Sequence, residues 1–560
     1  MFSPSDRLTL QKLSRKKFLD EYAHCPNPTI QTEMMKVRCE TDAPLFCRVF
    51  FPHHCRESFS ELHRYLFRHY RREQDRPLLE RKSRNLAVAA PRGYAKSTIA
   101  TLLLPLHDVV YRSEGYIVIV SATLPQSVGK LKNLRAELAE NRMLRECFEP
   151  QIGRVTSRQL VANDLAIEAF SVGTELRGIT YRHYRPTKIV MDDVEDSEAV
   201  ESPEQREKLA VWFNEVLENI GNGYTNVIVV GTLLHPDSLL AKILKRPDFE
   251  SRVFRAIESF AETAALWEEW RARFNDLSNP RRLETARGFF ESRREAMLKG
   301  TRVLWPEKED YYDLMCQLTA RGRKAFFQEK QNDPRHHEAQ LFDRETFRYF
   351  TAQGSPDVLS VPGHGQDTHA APDRQVALDH LVRFGFLDSA LGGAEGDFAA
   401  VATVGRDEHG YLYLLDVWME RASPTRQIEK IFDLHAIWNY RLFGFEANCF
   451  QSLLAEPIEE ERRRRRQAGR AWDLPLEQVT HRENKIRRIA SLETLIANGW
   501  LLFSRNLSED FFQQCEQFPR AAHDDGLDAL ESAVSLARRA ATERATAAGL
   551  KRPTRQLSSY

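Results

Sequence analysis

The chain has 560 residues, 42% of them apolar and 29% charged, and its 80 Lys and Arg residues are balanced by 80 Asp and Glu residues. A neutral balance excludes a globally basic nucleic-acid coat protein, so contact with DNA has to come from local patches. The apolar runs, such as "IATLLLPL" and "YIVIVSA", are too short to span a bilayer. The opening "MFSPSDRLTLQKLSRKKF" has no apolar signal core. The eight cysteines, at 25, 39, 47, 55, 147, 316, 449 and 515, form no C-x-x-C pair. That spacing points to reduced thiols rather than a zinc ribbon or a disulfide framework. The expectation is a soluble, cytoplasmic protein of roughly two to four domains, with no membrane partner.

In chain order, residues 1–80 read as charged helices, with aromatics concentrated in "FFPHHCRESFSELHRYLFRHYRR". From about 85 the texture changes. The runs "NLAVAA", "YIVIVSA", "AIEAFSV", "KIVMDD", "NVIVVGT" and "RVFRAIES" alternate with amphipathic segments. Continuous apolar strands between helices predict an α/β domain with a largely parallel sheet. Charged helices return over 261–330. The stretch 351–375 is rich in Gly, Pro, Ser, Asp and His and reads as a linker or exposed loop, with a domain boundary there. Beyond it, "HLVRFGFLDSALGG" predicts a strand with an acidic end. "FAAVATVGRDEHGYLYLLDVWMER" predicts two strands around a "DEHG" turn. "RLFGFEAN" predicts a strand ending near Glu446, and "HDDGLDALESAVSLARRAATERA" a helix opening on acidic residues. A second α/β domain follows, ending in a basic, flexible tail.

The first constellation is a phosphate loop. "AAPRGYAKSTIA", 89–100, keeps Lys96 and Ser97 of the pattern G-x-x-x-x-G-K-[ST], but Ala90 and Ala95 stand at the glycine positions. Strand, loop and helix textures follow in the order the motif requires. Alanine meets the space demand while φ stays negative, and Gly93 can supply a left-handed residue. Lys96 suits phosphate charge and Ser97 a Mg2+ ion. "TKIVMDDVED" is a strand with paired carboxylates at its end. Asp192 suits the Mg2+ shell; Asp193, or else Glu195, suits the orientation of water. "NVIVVGTLLHPDS" ends at Gly231–Thr232, and a hydroxyl there can sense a γ-phosphate, because ligands gather at strand C-terminal ends. Arg92 is either a surface residue or an arginine finger, with Arg177 a second candidate for that role.

The second constellation is acidic. Asp388, Glu446 and the group Asp524, Asp525 and Asp528 fall at two strand ends and one helix start. Distributed carboxylates suit one or two Mg2+ or Mn2+ ions and phosphodiester hydrolysis. Asp525 and Asp528 share a helix face, while Asp524 points elsewhere; Asp397 is an accessory acid or a turn residue. Among the basic residues, Lys485 and Arg488 are better candidates for phosphate contact than the arginine run of 460–470, which reads as a solvated face.

Together these residues resemble the large terminase subunit of tailed bacteriophages and related prophages, over about 45–540. "PRGYAKST" is similar to that family's variant phosphate loop, "IVMDDVED" to its Walker B strand and "VVGTLLH" to its coupling motif. "LWPEKEDYYDLM" and "GRKAFFQEKQNDP" resemble its junction between domains. "DSALGGAEGDFAAVATVG", "FGFEANCFQ" and "HDDGLDALESA" resemble its three acidic nuclease motifs.

The resemblance implies an N-terminal helical extension (1–44), an ASCE-type P-loop packaging ATPase (45–330) and a linker (331–375). An RNase H-like mixed-sheet nuclease (376–540) and a tail (541–560) follow. It implies that Pro91, Arg92, Gly93, Tyr94, Ala95, Lys96, Ser97, Thr98, Asp192 and Thr232 bind ATP with Mg2+. Arg92, Lys96, Asp193 and Glu195 serve its hydrolysis, and Thr232 couples hydrolysis to movement. Asp388, Glu446, Asp525 and Asp528 would hold two Mg2+ or Mn2+ ions for DNA cleavage. The implied function is a genome-packaging motor in the bacterial host cytoplasm, docked transiently on the procapsid. Its implied partners are double-stranded DNA, a portal protein, a small terminase subunit and further copies of itself in a ring. The rival expectations are a helicase-like or repair translocase-nuclease and a non-catalytic ATP-regulated assembly protein.

Overall fold

The computed structural model describes residues 2–547 except 71–76, 197–198, 221, 335–340, 353–357, 362–373, 390–397, 448–454, 469–473, 482, 520 and 522. The expected accessory acid Asp397 and most of the tail lie outside the described residues. The chain divides into two compact units. Unit 1 comprises Met1–Ala261, Gly300–Leu318 and Arg323–His336; unit 2 comprises Glu262–Lys299, Thr319–Gly322 and His337–Tyr560. No helix among the described residues is long and apolar enough to cross a membrane.

Unit 1 opens with the helices Pro4–Lys12, Arg15–His24, Pro28–Thr41, Ala43–Phe50 and Glu61–His69. Its main sheet is formed by β1 (Asn85–Ala89), β2 (Tyr116–Ser121), β3 (Ile152–Val155), β4 (Gln159–Ala162), β5 (Leu165–Ser171), β6 (Lys188–Asp192), β7 (Asn226–Gly231) and β8 (Phe249–Val253). The order is β3-β4-β5-β2-β6-β7-β1-β8, parallel from β5 to β8, with β4 and β3 antiparallel at one edge. Every residue of β2, β6 and β7 is buried, which is why these strands read as unbroken apolar runs. The loop strand β1 and the acidic strand β6 are separated by β7. That inserted strand is the arrangement of an ASCE-type P-loop fold. "RVFRAIES" is split: its start belongs to β8, its end to β9 (Ile257–Ser259), which pairs with β10 (Arg302–Val303).

Unit 2 holds a nine-stranded mixed sheet of β11 (Arg348–Ala352), β12 (Val358–Val361), β13 (Arg374–Ala377), β14 (Val382–Asp388), β15 (Ala399–Arg406), β16 (Leu412–Glu420), β17 (Leu442–Glu446), β18 (Leu476–Val479) and β19 (Leu501–Ser504). The order is β13-β12-β11-β19-β16-β15-β14-β17-β18. Within it β14, β15 and β16 form an antiparallel meander, and β17 and β18 add in parallel beside β14. This is the RNase H-like core. The stretch 331–375, expected as a linker, instead supplies β11, β12 and the start of β13. These strands are so short that no period shows in the sequence. They share their apolar cover with residues from elsewhere in the unit, among them Leu381, Tyr411, Tyr413, Leu415 and Leu502.

The strands "RFGFLD" and "LFGFE" interlock. Gly385 is register partner of Phe443, and Phe386 of Gly444. A Cβ on Gly444 would lie 2.6 Å from the Phe386 ring, and one on Gly385 would lie 2.4 Å from Phe443. Each glycine makes room for the other strand's aromatic ring. The pairing sets the strands flush, with Asp388 and Glu446 each one residue beyond the last partners, Leu387 and Phe445.

Candidate functional site

In unit 1, the loop between β1 and the helix after it gathers the expected residues at strand C-terminal ends. Lys96 is buried, and its ammonium donates to Thr232 Oγ1 at 3.2 Å and lies 3.5 Å from Asp193 Oδ1. Thr232 Oγ1 donates in turn to the Ala90 carbonyl at 3.2 Å. Ser97 Oγ donates to Asp192 Oδ1 at 2.9 Å. A helix start, a lysine and a Ser–Asp pair are the kinds of donor that a phosphate and a Mg2+ ion call for. The donor set fits both groups, because Ser97 and Asp192 already face one another as hard oxygen ligands.

Ala95 has φ +55°, as Gly93 has φ +86°. The expected negative φ at Ala95 is therefore corrected: the loop turns left-handed at both positions, and alanine accepts the strain. Thr98–Leu103 form a π-helix, with Leu104 N–H donating to the Ile99 carbonyl. Pro105 stands next in the chain and has no N–H to give Thr101, so the wider turn fits the sequence.

Sequence reasoning missed Lys130. Its ammonium lies 2.6 Å from Asp192 Oδ2 and donates to Ser121 Oγ and the Asp192 carbonyl. Burial pushes the Asp192 carboxyl up, and Lys130 counters this. No local pattern marks Lys130, which sits mid-helix in Leu124–Glu140. Glu195, the alternative to Asp193, accepts from the backbone amides of Leu239 (2.6 Å) and Leu240 (3.0 Å). Both its oxygens cap a helix, which leaves Asp193 as the carboxylate beside Lys96. Pro91 and Tyr94 are buried, with the Tyr94 ring against Trp305; Thr98 is half-buried.

Arg92 pairs with Glu329 at 2.6 Å, and its N–H donates to the Glu329 carbonyl. Lys330 donates to the Arg92 carbonyl and to both oxygens of Glu309. Asn332 accepts from Leu233 N–H at 2.8 Å, and Gln328 donates to the Leu234 carbonyl at 2.6 Å. Residues 328–332 thus touch both the phosphate loop and the residues just after Thr232. Arg177 is exposed.

In unit 2, Asp388 and Glu446 end adjacent strands, and Asp525 and Asp528 lie in the first turn of helix Asp525–Ala547. Asp525 accepts from Phe398 N–H at 3.3 Å. The Lys485 ammonium lies among them, 2.9 Å from Asp524, 3.3 Å from Asp528 and 3.8 Å from Asp388. Asp524, expected to point elsewhere, faces the cluster through Lys485. Arg488, expected to contact phosphate, is buried and bound to Asp528 at 2.7 Å and Glu531 at 2.8 Å. In the arginine run, Arg464 and Arg465 pair with Glu461 and with Glu429 or Asp433.

Burial pushes the Asp388 carboxyl up to about 8, reinforced by the charges of Asp528, Asp525 and Glu446 and opposed by Lys485. Asp388 Oδ2 is buried and accepts no hydrogen bond. The carboxylates offer oxygen donors of the kind a hard divalent cation takes, with Lys485 standing among them. The central place of Lys485 had no sequence signal, because the fold brings it to the carboxylates from a separate segment.

No protein-family model matches the chain, and no curated protein sequence matches it. Solved structures do. The large terminase of the thermophilic bacteriophage D6E, in complex with ADP, is 10% identical over 85% of this chain and 99% of its own, with a TM-score of 0.41. The large terminase of bacteriophage HK97 is 12% identical over 81% and 91%, with a TM-score of 0.26. The Mn-soaked terminase nuclease domain of human cytomegalovirus is 15% identical over 29% and 85%, with a TM-score of 0.22. These neighbours are viral terminases. At TM-scores of 0.41 and below, the fold assignment rests on strand order and not on these likenesses.

Proposed function

We propose that this chain is a viral genome-packaging motor. ATP hydrolysis in unit 1 drives double-stranded DNA into a procapsid through its portal, and unit 2 cuts concatemeric DNA at initiation and termination. One observation carries the reading: a single chain holds a Lys96–Thr232 and Ser97–Asp192 phosphate cradle and, on an RNase H-like sheet, the cluster Asp388, Glu446, Asp525 and Asp528. The motif resemblance supports the same pairing of activities. The antiparallel meander of unit 2 is unlike a second RecA-like motor domain and counts against a helicase.

Lys96 binds the β- and γ-phosphates, Ser97 and Asp192 hold Mg2+, and Asp193 orients the attacking water. Bound Mg2+ shields phosphate charge. Loss of the Lys96 contact to Thr232 in favour of phosphate frees the strand end tied through Leu233 and Leu234 to residues 328–332. Thr232 is therefore the coupling residue. In unit 2, Asp388, Glu446, Asp525 and Asp528 would hold Mg2+ or Mn2+, which would supply charge stabilisation for phosphodiester hydrolysis. The partners are DNA, a portal, a small terminase subunit and copies of the chain in a ring.

The test separates the two activities. Lys96→Ala is expected to lower DNA-stimulated ATP hydrolysis by about 100-fold or more while plasmid cleavage with Mn2+ persists. Asp388→Asn is expected to do the reverse. ATPase activity intact in the first variant, or cleavage intact in the second, overturns the corresponding half.

A further inference from the structure

Outside both clusters, His53, His54 and Glu137 bring their ligand atoms within 4.8 Å of one another, and among the described residues no other His, Cys, Asp or Glu trio does so. His53 Nε2 lies 2.8 Å and His54 Nε2 3.0 Å from the same oxygen, Glu137 Oε1. The histidines are consecutive in "FPHHC", just past helix Ala43–Phe50. Glu137 lies in the last turn of helix Leu124–Glu140, 84 residues from His53 in the chain.

We propose that His53, His54 and Glu137 form a binding site for a zinc-class divalent transition metal, with a water in the fourth position. Two imidazoles and one carboxylate are the donor set of borderline transition metals, whereas Mg2+ and Ca2+ prefer oxygen. The nitrogen–oxygen separations are slightly under those around a tetrahedral ion, so small rotations of two exposed rings admit it. His53 and His54 are 48% and 31% exposed, and Glu137 is 14% exposed, so the site opens to solvent on the histidine side.

The surroundings are organised as for a metal. Asn141 Nδ2 donates to the second Glu137 oxygen at 2.9 Å and to the Phe50 carbonyl at 2.8 Å. This fixes the carboxylate and ties it to the segment carrying the histidines, as outer-shell partners do. The turn beyond Phe50 is fastened too, with His54 and Cys55 N–H both donating to the Phe51 carbonyl. Burial pushes the Glu137 carboxyl up, but hydrogen bonds from His54, His53 and Asn141 outweigh it and hold it at about 2. Facing a carboxylate, each Nε2 carries the proton; a bound metal needs the Nδ1–H tautomer, leaving the Nε2 lone pair free. The metal would staple residues 51–55 to the helix whose Lys130 holds Asp192.

The probe is Co2+, added to the metal-stripped full chain in excess Mg2+, which occupies all-oxygen sites and leaves imidazole sites open. The expected result is one Co2+ per chain with the strong visible bands of a tetrahedral, nitrogen-bound ion, displaced by Zn2+. His53→Gln combined with His54→Gln should remove the bands, and Glu137→Gln should weaken Co2+ binding by about 10-fold or more. Glu137→Gln keeps the shape of the side chain, and circular dichroism identifies any variant that has unfolded. Absence of tetrahedral bands in the wild-type chain, leaving only a His–Glu ion pair, overturns the proposal. So do bands that persist in folded His53→Gln/His54→Gln protein.

Discussion

At the scale of single residues, the phosphate loop stores strain where its sequence departs from the usual glycines. Ala95 at φ +55° occupies a region that costs an L-residue about 1–2 kcal/mol. Glycine removes that cost but adds unfolded-state entropy of up to about 1 kcal/mol. Ala95→Gly is therefore expected to leave the unfolding free energy unchanged or raise it by about 1 kcal/mol. Ala95→Val, β-branched in a left-handed position, should lower it by about 1–3 kcal/mol. Urea denaturation of both variants checks the pair; equal losses would show that φ is not the controlling variable. The loop has reached a left-handed conformation without the residue that makes it easy, because the Glu329 and Lys330 contacts to Arg92 hold its backbone.

Among the elements, β14 and β17 depend on their staggered glycines. Gly444→Ala places a methyl 2.6 Å from the Phe386 ring and 3.3 Å from Leu536. A buried aromatic ring in a sheet cannot step aside, so the variant should lose about 1–3 kcal/mol, read from the urea midpoint. Cleavage should fall with it, because Asp388 and Glu446 end those strands.

Helix Glu61–His69 carries a pH response. Ser60 N–H donates to His63 Nδ1 at 3.0 Å, and His63 Nε2 lies 3.0 Å from the Tyr94 carbonyl. This fixes a neutral ring whose Nε2–H faces the phosphate loop. Burial pushes His63 down to about 4, from an ordinary value of 6.5, with Arg64 adding to it and the Tyr94 carbonyl opposing it. Because the folded value is the lower one, the stabilisation is whole above pH 6.5 and is lost as pH falls through 4. The loss is roughly 3 kcal/mol. His63→Gln, which cannot titrate, should flatten the acid limb of a stability–pH curve by that amount. An unchanged limb would place the acid sensitivity elsewhere.

For the whole molecule, unit 2 is assembled from distant parts of the chain. Phe350, Leu359, Val361 and Val376 share a buried cluster with Tyr413 and Leu502. From residues 262–299, Asn275 bonds to Asn498 through its side chain and accepts from the Trp500 indole N–H at 2.8 Å. A fragment of 376–540, the range expected for the second domain, lacks β11, β12 and residues 262–299. It is expected to expose Tyr413 and Leu502 and to show no cooperative unfolding by circular dichroism. A sharp transition would show those segments to be dispensable.

The sequence by itself determined the parts whose chemistry is local. Buried parallel strands announce themselves as apolar runs, so β1, β2, β5, β6 and β7 were legible, and so were β14 to β17. Asp192, Thr232, Asp388 and Glu446 were legible as residues at or just beyond strand ends. Lys96 and Ser97 were legible because a phosphate loop must place them at fixed spacing. Only tertiary structure decided what depends on segments distant in the chain. It decided that Lys130 neutralises Asp192, that Glu195 caps a helix, that Lys485 lies among the carboxylates, and that a Gly-Pro-rich stretch forms sheet strands. Such choices depend on which side chains burial and register bring together, and residue order along the chain carries no local trace of them.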